Sequence, residues 1–198
     1  MSKSDPASSK KEKNKALRWV ITIFFVTIFV SAVISFVSEE LISESHIAVA
    51  FLILFAIVLL GIVFDIVGVA VTSADEKPFH SMAARKVNGA QEAIALLRNA
   101  DRVGSICNDV IGDICGVVSG SASATIAMQM ISKGIFALSL TDVVSLVMSA
   151  IVAALTVAGK AMGKNIAIHS CTNIVHAVGR IIYQFRHITD LFRKEKKE

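Results

Sequence analysis

Residues 19–37 run for nineteen positions without a charged side chain, and residues 47–72 follow with Asp65 as their single charge. A helix of about 20 mainly apolar residues crosses a bilayer core. Two more stretches qualify. Residues 103–132 carry Asp109 and Asp113, and residues 135–159 carry Asp142 near their start. The third is the least apolar, because it also holds Asn108, Gln129 and five serines. Composition supports this reading. Of 198 residues 54% are hydrophobic and 18% charged, with a mean hydropathy of +0.66. A soluble core of this size leaves too much surface exposed to hide that apolar content. Disorder needs the opposite composition. The expected fold class is an all-α integral membrane protein with four transmembrane helices and cytoplasmic juxtamembrane amphipathic helices.

The twenty Lys and Arg orient the spans. Six precede the first span: Lys3, Lys10, Lys11, Lys13, Lys15 and Arg18. Five lie between the second and third: Lys77, Arg85, Lys86, Arg98 and Arg102. Eight run from Lys160 to the end, and Lys133 alone falls in the other two connections. The positive-inside rule then puts both termini and the middle loop in the cytoplasm of a multi-pass inner or plasma membrane protein. The first apolar run is too long for a cleaved signal, so it reads as an uncleaved span. Residues 1–16 read as a disordered basic cytoplasmic tail, 17–192 as the transmembrane domain and 193–198 as a charged tail.

Two juxtamembrane helices are expected. Residues 81–100 place Met82, Val87, Ala90, Ile94 and Leu97 on one side. Residues 164–192 repeat Ile168, Cys171, Ile174, Val175, Val178, Ile181, Ile182, Phe185, Ile188 and Phe192 at steps of three and four. Such a helix lies in the lipid interface or packs on its own bundle. Three cysteines, Cys107, Cys115 and Cys171, are too few for a disulfide framework and read as small buried hydrophobes. No nucleophile elbow, phosphate loop, zinc spacing or zinc-protease motif occurs, so no enzymatic role is expected. The basic residues follow membrane topology, which argues against nucleic acid as a partner.

Intramembrane carboxylates are costly and mark a site by default. Asp65, Asp109 and Asp113 fall in spans two and three. The last two are four apart, on one helical face, with Ser105 a turn earlier and Asn108 nearby. Oxygen ligands of this kind suit a hard cation such as Mg2+ or Ca2+. Gly104, Gly112, Gly116 and Gly120 form a small-residue stripe on the adjoining face, which lets another helix, within the bundle or across a dimer axis, approach closely. Lys160 stands between Gly159 and Gly163 near the end of span four. It snorkels to the interface or pairs with an acid in the bundle, and the glycines permit a break in the helix there.

Over residues 51–182 the order of these features resembles the transmembrane domain of the CorC/cyclin M (CNNM) group of magnesium transport proteins. The family's Phe-Ser-x-Ser-Glu-x-Ala-Leu-Thr-Ser-like stretch is matched by Phe64 to Ser73, with Asp65, Val67 and Gly68 in place of its serines and glutamate. Its Asn-Pro-Asp-Arg-like turn is matched by Asn99, Ala100, Asp101 and Arg102. Its Ile-Gly-Asn-x-x-x-Asn is matched by Ile111, Gly112 and Asp113, with Val117 at the second asparagine. Its Phe-Gly-Glu-x-x-Pro-Lys is matched by Ala158 to Lys164, where Lys160 replaces the glutamate. The resemblance implies Mg2+ or related divalent transport by a homodimer, with Asp65 and Asp113 at its ion positions; Asp109, Ser105 and Asn108 join them as candidate ligands from their place on the third span. It also implies that a regulatory cystathionine-synthase-like pair is lacking here and that residues 19–37 form an extra span. Two outcomes follow. Either the acids form a rebuilt cation site and Lys160 points away, or Lys160 itself acts as the cation in a non-transporting scaffold or regulator.

Overall fold

The computed structural model describes the backbone of residues 6–43, 45–135 and 141–195, and the side chains of 17–42, 45–135 and 141–187. The basic residues before Leu17, the expected start of span four at 135–140, the side chains of Ile188 and Phe192, and the charged tail from residue 193 on are wholly or partly outside that description. All regular elements among the described residues are helices: α1 (Pro6–Ser43), α2 (Ile47–Ser73), α3 (Lys77–Ala84), α4 (Ala90–Leu97), α5 (Ala100–Ser105), a π-helical segment (Ile106–Gly112), α6 (Asp113–Ser132), α7 (Thr141–His169) and α8 (Cys171–Glu195).

Four of these are long and apolar enough to cross a membrane: Leu17–Ile42, Ile47–Ser73, Ala100–Ser132 and Thr141–His169. The least apolar of the four, Ala100–Ser132, is also the most enclosed. More than half of its central window is buried, against under a fifth for each of the others. It packs on α1, α2 and α7 together. The assignment follows from the solvent. A helix apolar all round sits comfortably against lipid, whereas one bearing Asn108, Gln129 and five serines needs protein around it. Phe24, Phe25, Phe29 and Phe36 of α1 are exposed accordingly.

Three apolar clusters hold the bundle. Val110, Ile114 and Val118 receive Ile23, Val30 and Ile34 of α1. At one end Ile42, Ala50, Leu54, Ala122, Ile126 and Val152 join α1, α2, α6 and α7. Gln129 ties the same end by donating from Nε2 to the Ile42 carbonyl at 2.6 Å. At the other end, hereafter the basic end, Ala70 and Val71 of α2 meet Phe79, Ala93, Leu97, Ala167 and Val175 from α3, α4, α7 and α8. Trp19 of α1 closes this end, with the Arg102 guanidinium 5.3 Å above its ring.

Several boundaries differ from those expected. α1 begins at Pro6, so residues 6–16 are helical where their Lys/Ser-rich composition suggested a disordered tail. Proline is favoured at a helix start, and the Lys, Ala and Glu that follow are good helix formers continuous with an apolar helix. Residues 81–100 are two helices and not one. The chain turns at Arg85–Gly89, with φ of 56° at Lys86 and 86° at Gly89. The fourth span runs on to His169 with no break at Gly159 or Gly163, which pushes Lys160 well inside the helix. Those two glycines give no flexibility here. They make room, because a Cβ on either would strike Ile62 or Ile66 of α2.

The turn at Gly89 lies directly on α8. A Cβ there would come 2.5 Å from Arg180 N, and one on Gly179 would strike the Gly89 carbonyl. Gly89→Ala adds a left-handed strain to that clash. Either Gly89→Ala or Gly179→Ala is expected to cost about 1–3 kcal/mol in detergent unfolding. By contrast Gly116 and Gly120 have nothing within 4 Å of a built Cβ. Their alanine variants should stay within about 0.5 kcal/mol of wild type or gain slightly in helix propensity. Equal losses at all four positions would contradict the packing described.

Candidate functional site

Asp65, Asp113 and Lys160 meet where α2, α7 and the junction of the π segment with α6 come together. Asp65 lies eight residues before the end of α2, ~12 Å along its axis. Lys160 lies nine before the end of α7, ~14 Å. The two are therefore level, inward from the basic end of the bundle. Gly112 lets them approach the third helix. A Cβ built there would be 3.5 Å from Lys160 Nζ, 3.7 Å from Asp65 Oδ1 and 3.2 Å from the Cys107 carbonyl. The next residue, Asp113, accepts a hydrogen bond and ion pair from Lys160 Nζ at 3.3 Å. The Lys160 side chain is 23% exposed, while that of Asp113 is 71% exposed. Lys160, Asp113, Lys164 and Asp109 all act electrostatically on Asp65. The sequence reading did not single out Lys164, though one turn from Lys160 on the same helix is a legible signal.

The remaining predicted ligands are arranged differently. Asp109 is exposed on the π segment, and Ser105 is half-buried below it. Asn108 lies against α2 and not in the outward line of Asp109 and Asp113. Its carbonyl oxygen sits where a Cβ on Gly68 would be, buried and without a hydrogen-bond partner. Among the described residues no three of His, Cys, Asp and Glu stand close enough together to hold a metal ion. Cys107 and Cys115 are buried, and Cys171 is half-buried. All three are free thiols.

The glycine stripe divides in two. Gly104 and Gly112 face protein: a Cβ on Gly104 would come 2.8 Å from Thr72 Cγ2. Gly116 and Gly120 do not. They line a cleft of about 190 Å3 between α6 and α7, together with Ser119, Ala153, Thr156, Val157 and Lys160. A four-residue step on a helix of 3.6 residues per turn overshoots a full turn by ~40°, so a stripe of such steps winds round the helix and cannot face one neighbour along its whole length. Two further glycines, Gly61 and Gly68 on α2, make the close contacts with Cys115 and Asn108 that the stripe was expected to supply.

No protein-family model, no curated protein and no solved structure matches the chain. The likeness to magnesium transport proteins rests on the sequence features alone.

The Lys160–Asp113 contact has a measurable energy. A double-mutant cycle of Lys160→Ala and Asp113→Asn, read by thermal unfolding in detergent, should give a coupling of about 0.5–1 kcal/mol. The figure is kept low because Asp113 is largely exposed there. Additive losses would mean that the pair does not form.

Proposed function

We infer that this chain is a multi-pass membrane protein without transport activity of its own, a scaffold or regulator in which Lys160 supplies the positive charge that a bound cation would otherwise bring. The observation that carries this reading is the ammonium itself. It stands 3.3 Å from Asp113 and beside Asp65, the two residues at the resemblance's ion positions. An ammonium is a fixed cation with three donors, and a Mg2+ ion placed among the same carboxylates would be repelled by it. In this reading both termini are cytoplasmic, as the basic residues argue, and the chain acts as a homodimer with the lipid bilayer as its other partner.

One observation favours the alternative, transport of Mg2+ or a related divalent ion. Asp113 is mostly exposed, and Asp65, Asp109 and Asp113 outnumber Lys160 and Lys164. A lysine that releases Asp113 would leave a net negative site open to an ion.

Reconstituted vesicles carrying a fluorescent Mg2+ reporter separate the two. The scaffold reading expects no uptake by wild type under an imposed Mg2+ gradient or membrane potential. It also expects no rise in its unfolding temperature with Mg2+. Lys160→Gln removes the built-in cation, and that variant alone should gain Mg2+-dependent stabilisation. Uptake by wild type that Asp113→Asn abolishes would overturn this reading and establish the transporter.

A further inference from the structure

α8 starts just after α7 ends and runs across the end of the bundle instead of out of it. Near its start Val175 is buried in one cluster with Ala70 and Val71 of α2. From Val175 the axis advances ~16 Å to Arg186. There Arg186 and Ile182 share a groove with Asn99 and Val103. Val103 stands at the height of the end of α2, because its neighbour Gly104 abuts Thr72. The helix therefore stays at one level, the basic end, over that distance.

The sides of α8 differ. At ~100° per residue, Gly179 and Ile182 fall within ~40° of Val175, on the side that packs on α2 and α4. Ile174, Val178, Ile181 and Phe185 fall ~60–120° to one side of Val175, and all are apolar. Thr172, His176, Tyr183 and His187 fall ~60–120° to the other side, and all carry polar atoms. The apolar and polar flanks are thus opposite, with the bundle between them. The protein covers the apolar flank only at its start. Ile174 packs against the buried cluster, whereas Ile181 and Phe185 are 51% and 67% exposed. On the polar flank Tyr183 reaches the turn at Lys86–Gly89 and stacks on His187.

A helix lying in a membrane surface has this build, with hydrocarbon under one flank and water over the other. Lipid already reaches this level, since the last two turns of α7 expose Met162, Ile166 and Ile168. Charge names the class of lipid. Residues 170–198 hold six Lys and Arg against three acids. Arg180 and Arg186 are exposed, and neither is on the apolar flank. Their long stems let a guanidinium reach headgroups while the flank beside it sinks. We propose that α8 is a surface anchor. It seats Ile181 and Phe185 at the acyl boundary of the membrane that the bundle spans, and it holds anionic headgroups with Arg180 and Arg186. The anchor rests on the four spans and on neither reading of the Lys160 cluster.

The test uses the full chain in phosphatidylcholine vesicles whose acyl chains are brominated near the headgroup, which quenches tryptophan. Wild type has Trp19 alone and gives the baseline. Phe185→Trp and Ile181→Trp should each add emission that the brominated lipid removes, and His187→Trp should add emission that it leaves. Quenching at neither 181 nor 185, or equal quenching at 187, would overturn the proposal. Flotation with the vesicles reports the spans separately, so a failure of quenching in floated protein bears on α8 alone. In vesicles of equal phosphatidylcholine and phosphatidylglycerol, amide exchange over 180–187 should slow about fivefold for each arginine at the surface, relative to phosphatidylcholine alone. Arg180→Gln combined with Arg186→Gln should lose that slowing. Equal exchange in the two lipids, or slowing that survives both substitutions, would overturn it as well.

Discussion

Hydrocarbon offers no hydrogen bonds and no screening, and that constraint orders this bundle. The span with the most polar side chains is wrapped by the three that have fewest. Enclosure then dictates the rest. α2 needs glycines at 61 and 68 to accept Cys115 and Asn108, and α7 needs glycines at 159 and 163 to accept Ile62 and Ile66. Close approach of these backbones brings Asp65, Asp113 and Lys160 to one level around Gly112. A charge pair between membrane helices thus arises from small residues as much as from the charges.

The π segment is the other organising element. It interrupts the enclosed span between Ile106 and Gly112, where Asn108 and Asp109 lie. Such segments are rare and occur frequently at functional sites. Gly104 and Gly112 keep to the protein, whereas Gly116 and Gly120 open onto the cleft beside Lys160. Asp109 and Asp113 stay exposed on the outer side.

Much of the fold was legible in sequence because hydropathy is a sum over neighbouring residues. The runs at 19–37 and 47–72 reappear within helices of matching position. The junctions were less legible. Within 81–100 the break is announced by Asn88-Gly89 alone, a turn signal set inside an apolar period. The end of span four was set too early because the run of basic residues that begins at Lys160 was assigned to the cytoplasmic side, whereas Lys160 lies inside α7 and pairs with Asp113. At the candidate site the list of charged residues was legible and their grouping was not.

By itself the sequence determined an all-α membrane bundle with a few costly charges in its spans, because apolar run length and charge frequency are local properties. Only the tertiary structure decided which of those charges meet. Whether Lys160 reaches lipid headgroups or Asp113 depends on where α7 ends and on which side of α2 it packs. Each is set by contacts between residues dozens of positions apart, which no single segment encodes.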